Sequence, residues 1–325
     1  MAKQIWTFLV LAFAFSWIIW FTALKFGAAP GRGEYILAFG SAGPAFAAIL
    51  LSRTCEPCSD RRSVLQLLGL VLFWALAWSV YIENDSLRGV HPSSQTTYRM
   101  VVGLLAFVSA CIISGSFSRD SGVRRLLGTL LRPRTFVWPC VGLLFFPAIL
   151  IIPAAVAKLF GGALALPPHR DSPWSYLFQG TIAFLNALLF TAILEEPGWR
   201  GFLVRHLQEK FSPLLASLLV WLPWSLWHAP LDFSGGVGRS LMTYVQVRLI
   251  FLIPIAIILT WLYNCSGGDL LAVALFHAGM NTFPFVLPYA PKMLGLIFVW
   301  ALYVVVSQRM WRQYSSPMGA VLAEG

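Results

Sequence analysis

The stretch from Trp174 to Val204 reads WSYLFQGTIAFLNALLFTAILEEPGWRGFLV, and its reading decides the fold. An apolar run of membrane-helix length, Trp174 to Leu194, leads directly into Glu195 and Glu196. The residues that follow, Pro197 to Val204, are too apolar for a water-exposed loop. Two carboxyls and the guanidinium of Arg200 are therefore expected at membrane depth. An ionisable group there costs roughly 3 kcal/mol or more and is by default a functional-site hypothesis.

Outward from this stretch the composition agrees. Of 325 residues, 58% are hydrophobic and 11% charged, against about 45–50% and about 25% in soluble domains. A soluble globule, a disordered chain, a coiled coil and a disulfide-framed secreted domain are excluded. Nine further apolar runs follow the same rule: Ile5 to Leu24, Tyr35 to Leu51, Val64 to Ile82, Met100 to Ile113, Phe136 to Leu159, Leu214 to Trp227, Leu241 to Tyr263, Leu270 to Leu287 and Met293 to Val306. A crossing takes about 20 helical residues, so ten crossings are expected, or eight or nine if the shorter runs, Met100 to Ile113 first among them, do not cross. The first run is longer than a signal-peptide core, lacks a small-residue cleavage site and reads as a retained span. The expected fold is an all-α polytopic membrane helix bundle of about 8 to 10 transmembrane helices. Residues 1–325 form one integral membrane domain, without internal repeats.

The 23 Lys and Arg against 13 Asp and Glu give a net charge of +10. In a membrane protein such an excess reports cytoplasmic loops and anionic lipid, and no nucleic-acid motif is present. With the N-terminus inside, 14 of the 23 basic residues gather on the inner side, so both termini are expected in the cytoplasm. The densest cluster, Val123 to Arg134, interleaves four Arg with Leu126, Leu127, Leu130 and Leu131. An amphipathic helix on the inner surface is one reading; a positive-inside anchor is the preferred one. Of five cysteines, Cys111, Cys140 and Cys265 read as packing residues. Cys55 and Cys58 form an isolated C-x-x-C with no second pair to complete a zinc site, and no metal or cofactor is expected.

Eleven acidic residues, Asp85, Asp232 and Asp269 among them, are assigned to loops or helix ends, which leaves Glu195 and Glu196 as the exceptions. The expected turn Phe211-Ser212-Pro213 lies sixteen residues after Glu195 at Phe211, and His228 lies sixteen after Ser212. In an antiparallel helical pair, equal spacing places carboxylate and imidazole at one height. His277 and Asn281, at i and i+4, share one helix face. His91 and His169 fall in loops and His206 at a helix end. Glu196 and Arg200, also i and i+4, read as a structural ion pair, because a buried charge needs a partner. Trp224 and Trp227 read as packing or interfacial aromatics. A carboxyl, two imidazoles and a carboxamide are the groups that general-base catalysis and oxyanion stabilisation require.

Three segments, Glu195-Glu196-Pro197-Gly198-Trp199-Arg200, Trp224-Ser225-Leu226-Trp227-His228 and His277-Ala278-Gly279-Met280-Asn281, resemble in order and spacing the motifs of the CPBP family. That family comprises CAAX prenyl endopeptidases and bacteriocin-processing or self-immunity proteins. Its pattern is E-E-x-x-x-R, then F-x-x-x-H, then H-x-x-x-N; this chain departs from it at Trp224, where Phe is usual. The resemblance runs over 174–287, the expected catalytic core, and reaches the first two spans, while 53–116 reads as an insertion. It implies an intramembrane glutamic endopeptidase in which Glu195 and His228 activate a water and His277 and Asn281 stabilise the oxyanion. Glu196, Arg200 and Trp224 would support the site. Expected partners are a peptide or protein substrate, lipidated or not, and membrane lipids; the expected location is a bacterial plasma membrane.

Three alternatives stand beside this. A zinc-dependent membrane protease would use the same Glu and two His as ligands, but the H-E-x-x-H helix is missing. Serine and aspartyl intramembrane proteases lack their motifs here: there is no G-x-S-x-G, and Asp269, after Ser266-Gly267-Gly268, resembles a helix N-cap. A non-catalytic transporter or immunity scaffold would also carry intramembrane charge, although the paired broken helices common in transporters are not evident.

Overall fold

The computed structural model describes residues 2–26, 34–54, 60–89, 95–162, 172–233, 240–287 and 295–313. The Cys55–Cys58 pair, His91 and His169 lie outside these residues. Among the described residues the chain is helical, without a strand. Helices α1 (Ala2–Lys25), α2 (Glu34–Gly40), α3 (Gly43–Ser52), α4 (Asp60–Leu87) and α5 (Gln95–Ser114) form the first part. A short α6 (Ser121–Leu127) leads to α7 (Val137–Leu159). The interrupted helix α8 (Trp174–Leu207) follows, then α9 (Pro213–Trp227), α10 (Ala229–Phe233), α11 (Leu241–Cys265), α12 (Leu270–Val286) and α13 (Leu296–Ser307).

All ten apolar runs are helical, and they divide by length. Among the described residues, seven helices are long and apolar enough to cross a membrane, and three apolar stretches, Ile36–Ser52, Leu270–Val286 and Leu296–Ser307, have only 10–17 residues. The run Met100 to Ile113 belongs to the long class. Polar residues from Gln95 to Arg99 begin its helix, and a 3₁₀ turn at Gly115–Phe117 extends it. The run Tyr35 to Leu51 breaks at Ser41–Ala42, and Pro44 in the first turn of α3 suits the restart, since proline lacks the N–H that a first turn cannot use.

Side chains that water would not tolerate mark the outer surface. On α4, Leu65, Leu68 and Leu72 share a face and are 41%, 61% and 65% exposed, as expected where lipid tails replace the protein's own packing. The cluster Val123 to Arg134 is not one surface helix. Helix α6 ends at Leu127 and a 3₁₀ turn covers Gly128–Leu130. Leu126, Leu127 and Leu130 enter the core, and their burial bends this segment inward. Asp120 caps α6 by accepting from the Val123 N–H.

The inner helices are α3, α8, α9, α11 and α12. Helix α8 packs beside α3, α9 pairs with α11, and α12 lies against α7 and the upper part of α8. Gly198 makes the first contact possible, because a Cβ there would collide with the Pro44 backbone. Trp17 Nε1 donates to the Trp227 carbonyl at 3.0 Å and Trp20 Nε1 to that of Leu37 at 2.7 Å. These bonds tie α1 and α2 to the end of α9. Ser212 and Asp269 cap α9 and α12 through their side chains.

Candidate active site

Helix α8 is not α-helical throughout. Leu188–Ala192 and Pro197–Val204 are π-helical, on either side of the single α-turn Ile193–Glu196. Pro197 has no N–H to donate, and wider i to i+5 turns of this kind gather at functional sites. Both carboxyls lie on this short α-turn, and each has a different neighbour.

Glu196 faces Arg200 and α12. Its Oε1 accepts from Arg200 Nη1 at 2.9 Å and from His277 Nδ1 at 2.6 Å. The i, i+4 ion pair read from the sequence is thus present, and its two side chains are fully buried. Glu196 Oε2 and the Nε and Nη2 of Arg200 have no partner among the described residues. A carboxylate can only accept, so His277 Nδ1 is the donor.

Glu195 faces α9. Its Oε2 accepts from Trp224 Nε1 at 2.9 Å, and the Trp224 backbone carbonyl accepts from His228 Nδ1 at 2.8 Å. One residue therefore holds both groups that the hairpin spacing places at one height. The Trp224 ring also lies 4.3 Å from the Arg200 guanidinium carbon and meets the His277 ring edge-on at 5.6 Å. Such a cation over an aromatic face is attracted by about 2 kcal/mol or more when desolvated. The structure brings Glu195, Glu196, Arg200, Trp224, His228 and His277 into one buried cluster. Asn281, one turn beyond His277, is half-buried, and its side chain makes no hydrogen bond to a described residue.

Two residues of this neighbourhood escaped the sequence reading. Asp232, assigned to a loop or helix end, is buried on α10 and takes Arg248 Nε at 2.7 Å and Nη2 at 3.4 Å. Arg248 lies in a third π-helical segment, Val245–Ile250, within α11. Ser225 Oγ donates to the Arg248 carbonyl and Tyr244 OH donates to that of Ser225, which binds this pair to the end of α9 beside His228. The signal was available, since Arg248 is the sole charged residue of the run Leu241 to Tyr263. Asp85 lies at the end of α4, as read from the sequence, but it is buried there and accepts from Tyr98 OH at 2.9 Å. Among the described residues, no three His, Cys, Asp or Glu side chains are grouped to hold a metal ion.

Residues 177–283 match the family described as Type II CAAX prenyl endopeptidase Rce1-like. The chain is also similar to the CAAX prenyl protease 2 of Methanococcus maripaludis, 28% identical over 217 residues, which are 59% of this chain and 76% of the relative. Both matches support the CPBP resemblance carried by the three motifs. Its long apolar helices make it a multi-pass integral membrane protein, and the two similarities support a protease. The matched segment holds α8 from Leu177 onward through most of α12, and with them every member of the buried cluster.

Proposed function

We propose that the protein is an intramembrane glutamic endopeptidase of the CAAX type, with both termini in the cytoplasm of a bacterial cell. The substrate is a peptide or protein, lipidated or not, cleaved by a water that Glu195 and His228 activate. The observation that carries this reading is the pair of hydrogen bonds by which Trp224 holds the two groups. Because the Trp224 carbonyl can only accept, His228 carries its proton on Nδ1, and in the neutral ring Nε2 accepts. Glu195 Oε2 is taken by the indole N–H, which leaves Oε1 to receive the proton of the attacking water.

His277 and Asn281 would stabilise the charge that develops on the scissile carbonyl oxygen. Donation from His277 Nε2 requires a ring that carries both protons, and the Glu196 carboxylate at Nδ1 is the counter-charge for that state. Glu196, Arg200 and Trp224 hold these groups in place.

The test is cleavage of a quenched fluorescent peptide, with and without a prenylated cysteine, by purified protein in liposomes. Glu195→Gln and His228→Ala should each lower turnover by about a hundredfold or more while insertion and expression stay intact. Turnover that survives either change overturns the mechanism. A chelator should leave activity unchanged; loss of activity with release of stoichiometric zinc, restored on adding zinc back, would replace the glutamic assignment with a metal one.

A further inference from the structure

A second charged region lies beyond the catalytic cluster on α8. Arg124 and Arg125 from α6, Arg132 and Arg134 from the segment before α7, and Arg205 from α8 line one cavity of about 440 Å³. No carboxylate lines it; Asp269, at the start of α12, interacts with Arg134 from behind the wall. A positive-inside signal requires only that basic residues lie on one side of the membrane. It does not require arginines from three separate segments to converge on one hollow. Like charges gathered in a concavity with apolar walls raise its potential, and a bound anion relieves it.

Several side chains are already held in place. Arg124 Nη1 donates to the Ser118 carbonyl at 2.7 Å, and the Arg132 guanidinium lies over the Phe117 ring at 5.3 Å. The Tyr263 and Thr129 side chains add polar atoms to the wall, and the volume is that of a small-molecule site.

We propose that this cavity binds the headgroup phosphate of an anionic phospholipid. Planar guanidinium forks match phosphate oxygens in pairs, and basic pockets between membrane helices suit such headgroups. The rim supplies the reason for a lipid rather than a soluble phosphate. Phe117, under Arg132, packs at Gly69 on α4, the helix whose Leu65, Leu68 and Leu72 face outward. A phosphate in the cavity would thus have its acyl chains beside an apolar, lipid-facing wall. The site reaches the catalytic helices. Gly201 and Arg205 lie on α8, and Thr129 Oγ1, which lines the same cavity, accepts from the Leu270 N–H at the start of α12. This binding does not depend on the proposed peptidase mechanism.

The experiment is native mass spectrometry of the purified full-length protein in detergent, titrated with dioleoyl phosphatidylglycerol or dioleoyl phosphatidylcholine. The wild type should retain phosphatidylglycerol at least about tenfold better. The doubly substituted R132Q/R205Q protein should lose about 25-fold in that affinity, from roughly fivefold for each basic residue near anionic lipid. A control that neutralises the exposed Lys210 and Arg312 should keep the preference. If the first double variant is not monodisperse, Arg125→Gln, at an exposed position, carries the test at about fivefold. Equal retention of the two lipids by the wild type, or equal losses in both double variants, overturns the proposal. So does saturable binding of inorganic phosphate to delipidated protein without a phosphatidylglycerol preference.

Discussion

The two charged regions of this protein follow opposite rules, although Arg200 and Arg205 are five residues apart on one helix. Around Trp224 each arginine is paired with a carboxylate within the molecule, Arg200 with Glu196 and Arg248 with Asp232, while Glu195 takes the indole N–H. The cavity walled by Arg124, Arg125, Arg132, Arg134 and Arg205 has one sign only. Buried among inner helices, a charge needs a protein partner or it is not tolerated. At the rim of the bundle it can be left for water, counter-ions or a ligand from outside. Position in the bundle, more than residue type, decides whether an arginine is part of the fold or part of a surface.

The sharpest way to break this contrast is to remove one member of an inner pair. Arg200→Met takes the guanidinium from Glu196, leaves it only the bond from His277, and should destabilise the protein by about 3 kcal/mol, the low end of the cost of breaking a buried pair. Its measure is the detergent-denaturation midpoint followed by tryptophan fluorescence. Adding Glu196→Gln should recover a substantial part of the loss, because the stranded charge is then gone too. A double variant no better than Arg200→Met would mean that cation–π packing on Trp224, rather than charge pairing, is what Arg200 supplies.

A smaller effect is expected at the second pair. Asp232→Asn keeps the shape and can accept one hydrogen bond, but it strands an Arg248 that is 20% exposed in its side chain. Partial solvation reduces the penalty, so a loss of about 1–3 kcal/mol is expected. Because Ser225 and Tyr244 link this pair to the end of α9, turnover in the peptide assay should fall as well. Unchanged turnover would detach Arg248 from the positioning of His228.

Legibility in the sequence divides along similar lines. The helical bundle followed from apolar run lengths because lipid imposes them on the chain directly. The caps at Ser212 and Asp269 could be read because each is settled within four residues. The break between α2 and α3 was marked by Gly40, Gly43 and Pro44, but a count of apolar residues passes over punctuation inside a run. Apart from Pro197, which lacks an N–H, the π-helical segments of α8 and α11 leave no local mark, since one residue of register is set by the helices packed around them. Asp232 and Arg248 were missed because a pair from two segments resembles two isolated charges until the helices are assembled. The candidate site was legible where its motifs are contiguous. The role of Trp224 was not, because its N–H and its carbonyl serve residues on different helices.

Trp224 offers a finer test of the inner region. Trp224→Phe keeps an aromatic face for Arg200 and the backbone carbonyl for His228, and removes only the donor to Glu195. The lost charge-assisted bond is worth about 1.5–3 kcal/mol at most, and a water bridge can replace part of it. Turnover should fall by no more than about tenfold, with KM unchanged, in keeping with the phenylalanine usual at this motif position. Loss of all activity would make the indole N–H indispensable to Glu195, whereas Trp224→Ala should cost far more through the packing it removes.

The least disruptive change belongs to the arginine cavity, where it is the sign that matters. Arg125 is exposed and pairs with no described carboxylate. Arg125→Gln should therefore change stability in lipid-free micelles by no more than about 0.5 kcal/mol, as at most surface positions. Any shift should be towards greater stability, because removing one of several like charges lowers their mutual repulsion. In micelles doped with phosphatidylglycerol the direction should reverse, since the wild type gains binding free energy that the variant partly forgoes. No inner-cluster substitution should show this reversal, because partners within the protein do not change with the lipid. The same sign in both media would make the cavity an ordinary solvated surface and leave the contrast between the two regions a matter of burial alone.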